Sequence, residues 1–262
     1  MSAASAIGVP VFDSTNGEMM EGPGGASIAE LRIRDGKRVR GVDAVIDGWQ
    51  RFFLAHCETV LSLGAINTPK VLMQSGDELR SHGIPVVQHL PGVGRNHQNH
   101  LAFGCTWAYG KPDAMGGSGC EANIYWKSDA RLSQPDILQC QLEFAVPSPP
   151  ETGLETPEHG WTMFNGLAQP KSRGRLRLSG PDINNPILIE PNSLSEPEDM
   201  AAALAAVELC RELGRSDGSS QLVTGETAPG VRDRSGMIDF IRRSAISGIK
   251  PRRPRWDETT RR

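Results

Sequence analysis

The chain of 262 residues lacks most of the features that mark specialised protein classes. Its five cysteines are an odd number and form no CxxC pair, so zinc and disulfide frameworks are poorly supported and we expect a reduced, cytoplasmic protein. The start of the chain has no basic region followed by an apolar stretch, and we expect no secretory signal. No apolar run approaches the length of about 20 residues that a membrane helix needs, so we expect no transmembrane segment.

Neither an excess of charge nor a phosphate-binding glycine motif is present. The 28 Lys+Arg against 31 Asp+Glu leave a net charge of -3, so we expect no nucleic-acid partner. The stretch from Gly92 to His97 lacks the last glycine of GxGxxG, and the stretch from Gly116 to Gly119 has no helix after it. The sequence therefore contains no phosphate-binding glycine loop.

What is present is a globular composition, with 38% hydrophobic residues, 29 Gly and 19 Pro. The first thirty residues, rich in glycine and acids, indicate a loop. From Ala29 to Val45 polar and apolar residues alternate around Asp35-Gly36, and the same pattern recurs before Asp47-Gly48. Asp-Gly between such runs is a strong hairpin signal, so we predict a small antiparallel unit here.

The apolar run from Glu58 to Gly64 predicts a buried strand that turns into a helix over Thr68 to Ser75, with Pro69 in its first turn. A strand leading into a helix is typical of α/β proteins, which place ligands at this edge of the sheet. We also predict a short strand at Ile84–Val87 and a tight loop at Leu90–Gly94.

Alternating residues further along predict an antiparallel sheet and are followed by two helices. A capping box formed by Ser195 and Glu198 predicts the start of the first helix, which ends at Gly214. The second helix covers Met237 to Ala245. The predicted strands are Phe103–Tyr109, Ala122–Trp126, Ile137–Phe144, Trp161–Leu167 and Gly174–Leu178, and the apolar helix face comprises Met200, Leu204, Val207, Cys210 and Leu213.

Two groups of side chains allow more than one interpretation. His97 and His100 could present two imidazoles to a metal, but no third ligand at a telling spacing accompanies them. A basic stretch could hold a phosphate, yet the alternation of its residues favours the solvent face of a strand; it comprises Lys171, Arg173, Arg175 and Arg177.

Several stretches, in the same order along the chain, resemble the glucose–methanol–choline (GMC) flavoprotein oxidoreductases. Gly64 to Gly76 resembles the second signature of that family, and Leu90 to Asn96 resembles its PGVGxNLxDH segment. Pro170 to Gly174, with Pro191-Asn192 and Asp199, is similar to its C-terminal domain. Upstream, Asn16-Gly17-Glu18 and Ile33 to Arg38 also match. The choline-dehydrogenase-like branch fits best.

The resemblance implies a fold that is α/β plus antiparallel sheet, a partial FAD-binding (Rossmann-like) domain with a GMC-type substrate domain. It divides the chain into residues 1–104 (FAD-binding, without the GxGxxG unit), 105–190 (substrate domain), 191–246 (C-terminal helical part) and 247–262 (divergent tail). It implies FAD as cofactor and a small-molecule alcohol as substrate, with hydride passing to the flavin. The cofactor-binding residues that it implies are Leu63, Gly64, Ala65 and Asn67.

The departures from the family suggest that the chain as written is inactive. The N-terminal strand, glycine loop and helix of the family are not matched, so the anchor for the FAD pyrophosphate is missing. Asn99 stands where aspartate is usual, and His97 stands where leucine or phenylalanine is usual. After Ala245, where the family has tryptophan and the catalytic histidine, this frame encodes neither at the expected place, so no catalytic residue is assigned.

The tail itself suggests a reason for this last departure. If codons for Gly248 to Pro251 are read one nucleotide out of frame, they can encode tryptophan, histidine, glutamine and threonine, which the family has there. We therefore predict a frameshifted reading of the catalytic segment, which sequencing of the gene would test. The alternative is a genuine basic extension that binds acidic partners. For the whole chain, the alternative to an enzyme is a non-catalytic interaction module that self-associates through an exposed core.

Overall fold

Three antiparallel strands open the part of the chain that the computed structural model describes, which comprises residues 26–34, 38–46, 48–74, 86–110, 119–120 and 122–247. Strand β1 (Ala26–Arg34) pairs with β2 (Arg38–Ile46), and β2 pairs with β3 (Trp49–Leu54). The predicted antiparallel unit is confirmed. The loop predicted for the first thirty residues is wrong over 26–30, which belong to β1, and its earlier part lies outside the described residues, as do Asp35-Gly36 and the tail from Gly248.

Two contacts hold this sheet in register. Gly41 on β2 has φ +154°, and an added Cβ would lie 1.9 Å from the Phe53 carbonyl oxygen, so only glycine fits there. The Arg32 guanidinium donates to both carboxylate oxygens of Asp43 at 2.7 Å. Asp43 is buried, and the Arg32 guanidinium also lies 5.2 Å from the centroid of the Phe52 ring. The buried carboxylate is therefore paired with an arginine that the aromatic ring keeps in position.

The predicted buried strand from Glu58 to Gly64 is wrong. This segment is coil, and Val60 is 75% exposed. No strand in the described residues pairs with it, and a lone apolar run has no ladder partner to make it a strand. Helix α1 (Gly64–Met73) begins four residues before the predicted start at Thr68, so Pro69 lies in the second turn and not the first.

A small core forms where α1 meets a second hairpin. Strands β8 (Arg175–Leu178) and β9 (Ile187–Glu190) pair with each other, and Met73 packs against Leu176 and Leu178. The predicted tight loop at Leu90–Gly94 is confirmed, and the Gly94 carbonyl accepts from the Leu176 N–H at 2.6 Å. The predicted strand at Ile84–Val87 lies partly outside the described residues, and Val86 and Val87 are coil.

The largest element is a six-stranded antiparallel sheet. Its strands run in the order β10-β4-β7-β6-β5, with β11 paired to β4; they are β4 (Leu101–Tyr109), β5 (Ala122–Trp126), β6 (Ile137–Leu142), β7 (Gly160–Leu167), β10 (Val223–Ala228) and β11 (Ile246–Ser247). Four predicted strands are confirmed within a few residues. The fifth predicted strand, Gly174–Leu178, corresponds to β8, which pairs with β9 in a separate hairpin and not in this sheet. The sequence analysis did not predict strands β9, β10 and β11.

Helices cover one face of the six-stranded sheet. Helix α2 (Pro197–Arg215) is followed by a short helix α3 (Asp217–Ser220) and by α4 (Arg234–Ser244), close to the predicted Met237–Ala245. The predicted apolar face of α2 is confirmed, because Val207 and Cys210 are fully buried and Met200 is 9% exposed. These side chains form one core with alternate residues of the sheet: Leu101, Phe103, Cys105 and Trp107 of β4, and Trp161 and Met163 of β7.

The predicted capping box is wrong. The N-cap of α2 is Glu196, and no side chain caps it. Instead, the backbone N–H groups of Ser195 and Glu196 donate to Oγ of Ser172, at 3.0 and 3.2 Å. The Asp199 carboxylate, also in the first turn, accepts from the N–H groups of Lys171 and Ser172 at 2.6 and 2.8 Å. The turn at Ser172 is therefore joined to the start of α2 by four hydrogen bonds, and Ser172 accepts from the Ser195 N–H that the Glu198 side chain would have bonded in a capping box.

The described residues divide into two compact units, each built from two stretches of chain. The first unit takes residues up to Arg95 together with Arg175–Glu190, and the second takes Asn96–Gly174 together with the residues from Pro191. The domain limits expected from the sequence stay predictions.

Candidate functional site

The predicted cofactor-binding residues lie together at the start of α1, in the first unit. Gly64 is the first helical residue and has φ +80°, a conformation that favours glycine. Leu63 is the N-cap, and its N–H donates to Thr68 Oγ1 at 3.0 Å. Ala65 and Asn67 are exposed. The four residues thus form one helix terminus and not, as expected, the end of a strand.

This terminus has room for a ligand. No side chain caps the helix, so the backbone N–H groups of its first turn keep their donor capacity. An added Cβ at Gly64 would meet no atom within 4 Å, so the space beside it is open. Anions are favoured at such an end because of the helix dipole. The geometry fits one contact of a phosphate-bearing cofactor, and the binding role of the four residues stays a prediction.

The other end of α1 is fixed by packing. Gly94, in the segment that resembles PGVG, has φ +77°, and an added Cβ would lie 2.8 Å from Met73 Sδ and from the Leu176 carbonyl oxygen. Burial lowers the pKa of Lys70, and the nearby Asp182 carboxylate opposes that shift. The glycine of this segment therefore serves close packing against the helix, which in turn keeps the Gly64 terminus in place.

In the second unit, the face of the six-stranded sheet opposite the helices carries small and polar residues. Alternation along β4 and β7 places Gly104, Thr106, Thr162 and Phe164 on this face. Thr106 Oγ1 and Thr162 Oγ1 are 3.0 Å apart, and the Val146 N–H donates to Thr162 Oγ1 at 2.8 Å. A cavity of about 50 Å³ lies here, large enough for a very small ligand or water. Sequence reasoning missed this face, although small residues at every second position could have indicated it.

The helix-covered face of the same sheet holds a buried polar cluster. Gln139 Nε2 donates to Asn165 Oδ1 at 2.7 Å, and the Cys210 thiol donates to the same oxygen at 3.0 Å. The pKa of the Cys105 thiol is raised well above its usual range by a hydrogen bond from Cys210 and by burial. The Cys105 thiol therefore stays protonated at neutral pH, and its role in the cluster is structural and not nucleophilic.

The histidine pair is placed by backbone pairing. His97 exchanges backbone hydrogen bonds with Gly174, at 3.0 and 2.7 Å, and burial lowers the pKa of its ring. His100 Nδ1 lies 3.1 Å from the Leu167 carbonyl oxygen. Among the described residues, no three His, Cys, Asp or Glu side chains converge on a point that could hold a metal ion.

The basic stretch alternates between solvent and core as predicted. Arg175 and Arg177 are paired with Glu190, whose pKa they lower by hydrogen bonding and charge. Arg173 donates to the backbone carbonyls of Pro170 and Lys171. The arginines of this stretch are thus engaged in local contacts and do not converge on a phosphate-sized site. Over the part of the chain that the structure describes, every helix is too short or too polar to cross a lipid bilayer.

Two family models match the chain, in the order expected from the motifs. The model for the N-terminal part of GMC oxidoreductases matches residues 5–102, and the model for the C-terminal part matches residues 170–251. The chain belongs to the GMC oxidoreductase family. The resemblance drawn from the motifs is therefore confirmed.

Relatives of this GMC oxidoreductase chain include choline-oxidising enzymes. It is 28% identical to choline oxidase of Arthrobacter globiformis, over 90% of this chain and 45% of that protein. It is 30% identical to the mitochondrial choline dehydrogenase of Homo sapiens, over 83% of this chain and 41% of that protein. The chain thus spans less than half the length of these relatives, and the choline-like branch is supported.

Solved structures confirm the predicted fold class. Pyridoxine 4-oxidase from Mesorbium loti matches with a TM-score of 0.75 and 27% identity, over 85% of this chain and 45% of that one. An R554A variant of formate oxidase from Aspergillus oryzae RIB40 matches with a TM-score of 0.71 and 20% identity, over 84% of this chain and 49% of that one. The described part contributes antiparallel sheets and a few helices to this fold.

Proposed function

We propose that this chain derives from an FAD-dependent oxidoreductase that oxidises the CH–OH group of a choline-like or other primary alcohol to an aldehyde. The observation that carries the proposal is the presence of both family parts, in order, on one chain. The names of its relatives agree, since they include choline oxidase, choline dehydrogenase and an alcohol dehydrogenase [acceptor] of Pseudomonas putida.

The start of α1 is the proposed contact to the cofactor. FAD, when bound, would supply the hydride acceptor. The uncapped N–H groups after Leu63 would donate to a phosphate or to another electronegative part of the nucleotide, and Gly64 would let it approach the backbone. Ala65 and Asn67 are exposed on the same turn and would complete the contact.

The small cavity on the sheet face opposite the helices, in the second unit, is the proposed alcohol side. The Thr106 hydroxyl lines this cavity and can donate to or accept from a substrate hydroxyl, while the hydroxyl of fully buried Thr162 lies 3.0 Å behind it and positions it. Phe164 and Val146 supply apolar contact around them. These side chains would orient a small alcohol, while neither hydroxyl is basic enough to take its proton.

We propose further that the chain as written neither holds FAD tightly nor turns over. Its 262 residues contain no glycine loop for the pyrophosphate, and after Ala245 they show no histidine in the family position. General acid–base assistance alone is worth about 10²–10⁴ in rate. The oxidised product would therefore form far more slowly than in an intact relative.

The test is a flavin spectrum of the purified full chain, before and after incubation with FAD, followed by anaerobic addition of choline. We expect no stoichiometric flavin and no bleaching. A bound flavin in a one-to-one ratio that choline bleaches would overturn the inactivity. Weak FAD binding that is lost in Gly64→Val but kept in Gly153→Val would support the α1 contact, because both glycines have positive φ and open space.

A second function, association without catalysis, is favoured by one observation. Large apolar side chains on β3 are exposed: Trp49 by 72%, Leu54 by 56% and Phe53 by 47%. Such a row on an edge strand favours pairing with another chain. Size-exclusion chromatography with light scattering distinguishes this function, because a monomer at all concentrations would contradict it.

A further inference from the structure

A groove of about 620 Å³ lies in the second unit, apart from the sites described above. It runs between the last turn of α2, strand β10 and the loop that follows β10. Its volume falls within the range of about 300–1,000 Å³ that is usual for small-molecule sites. Its lining is rich in arginine, and the state of each charge decides what the groove can bind.

One arginine is already used. Arg211 donates to both carboxylate oxygens of Glu226 at 3.1 Å and to the Gly230 carbonyl at 3.0 Å. Glu226 also accepts from the Gly230 N–H at 3.0 Å. Arg211 and Glu226 therefore neutralise each other and form part of the groove wall. The positive charge of the groove comes from the other two arginines.

Arg215 and Arg232 supply that charge. Arg232 donates through Nε to the Pro229 carbonyl at 2.8 Å, and its guanidinium lies 5.6 Å from the centroid of the Phe240 ring. Within the described residues, neither its terminal nitrogens nor the guanidinium of Arg215 has a hydrogen-bond partner. The unbonded N–H groups of two guanidinium side chains line one groove, and such groups match the hydrogen-bonding geometry of a carboxylate or a phosphate.

The rest of the groove is lined by Trp107, two valines, Thr224 and the backbone of three glycines. Trp107 lines it and stacks on Trp161, with ring centroids 4.6 Å apart. Gly214 permits this, because an added Cβ would lie 2.6 Å from the indole of Trp107. Gly225 also lines the groove, on strand β10 next to the strand of Trp107, and an added Cβ there would meet no atom within 4 Å. An apolar ligand body thus has a place beside the cationic donors.

We propose that this groove binds a small organic oxyanion, a carboxylate or a phosphate monoester that carries an apolar ring. The oxyanion pairs with Arg215 and Arg232, and the ring lies against the apolar part of the lining, beside Val223 and Val231. This binding is independent of the proposed alcohol oxidation, because it uses neither the start of α1 nor the cavity beside Thr106.

The experiment titrates the full chain with benzoate, phenyl phosphate and the neutral benzamide, by tryptophan fluorescence and calorimetry. We expect one site per chain for at least one of the two anions, with benzamide about tenfold weaker or more, since charge-assisted hydrogen bonds are lost. The better anion identifies the ligand source, carboxylate or phosphate ester. If neither anion binds, or benzamide binds equally well, the proposal fails.

Three charge variants locate the site. Arg215→Gln and Arg232→Gln are each expected to weaken binding about tenfold, whereas Arg242→Gln, the same charge change on exposed α4, leaves it unchanged. Equal loss in all three would indicate general electrostatic attraction and refute the site. Circular dichroism of each variant checks that the fold is kept.

Steric filling gives a separate check that does not depend on charge. Gly225→Leu should abolish binding by filling the groove, whereas Gly218→Leu, also at a glycine with open space, should not. Binding to Gly225→Leu at the original affinity would place the ligand elsewhere and overturn the proposal.

Discussion

Replacing Asp199 with alanine should destabilise the second unit, because it removes the acceptor of two backbone N–H groups. The carboxylate is 3% exposed and accepts from two backbone N–H groups, those of Lys171 and Ser172. Ser172 is buried, so in the variant its N–H could not form a replacement hydrogen bond with water. Lys171 is exposed, and its N–H could form such a bond in part. The carboxylate therefore holds the turn before β8 against the first turn of α2.

The expected magnitude follows from these contacts. A hydrogen bond to a charged group contributes about 1.5–3 kcal/mol, and an orphaned buried donor costs about 1–3 kcal/mol. Counting the Ser172 bond in full and the Lys171 bond in part gives a loss of about 3 kcal/mol in the free energy of unfolding for Asp199→Ala. Asp199→Asn keeps one acceptor oxygen and should lose about half as much.

The assay is urea unfolding followed by circular dichroism and tryptophan fluorescence. Glu198→Ala is the matched control, because Glu198 is the exposed neighbour in the same turn and should change stability by less than about 0.5 kcal/mol. Ser172→Ala removes the acceptor for two N–H groups at the start of α2, and it should be non-additive with Asp199→Ala. If Asp199→Ala is no worse than Glu198→Ala, the reasoning is refuted.

Two further predictions concern packing and pH. Gly214→Ala should lower the free energy of unfolding by about 1–3 kcal/mol, because the added methyl group would overpack against Trp107. Gly218→Ala is the control and should be neutral or stabilising, because alanine favours helices. Equal effects of the two variants in thermal melts would contradict this. The hydrogen bonds from Arg131 lower the pKa of Asp129 to about 2, so that contact is complete above the unfolded pKa and is lost as pH falls towards about 2. A carbon NMR titration should show this pKa, and in Arg131→Gln it should return towards the ordinary value; an unshifted pKa in the original chain would contradict it.

Much of the fold could be predicted because its signals are local. Alternation and Asp-Gly turns identified the first hairpins, and the spacing of Val207 and Cys210 identified the buried face of α2. The strand assigned to Glu58–Gly64 failed because its partner decides whether an apolar run is a strand. The capping box failed because Ser172, distant in sequence, accepts from the Ser195 N–H in place of the Glu198 side chain.

The candidate sites divide in the same way. The family motifs drew attention to Gly64, and the conformation found there, with φ +80°, agrees with the need for glycine. The groove that contains Arg215 and Arg232 could not be predicted from the sequence. It is formed by the last turn of α2, by strand β10 and by the loop after β10, and the sequence of β10 has no clear strand pattern. Residues in such a site are brought together only by tertiary packing.

The interleaving of the two units limits how the protein can be dissected. Since the β8–β9 hairpin belongs to the first unit, no single cut releases the second unit as one continuous polypeptide. Arg175 and Glu190 are register partners, so their Cα atoms lie only about 5 Å apart. Starting the chain at Asn96, excising the hairpin and splicing Gly174 to Pro191 through one or two residues would therefore make the second unit one continuous fragment, suited to isotope labelling and crystallisation trials.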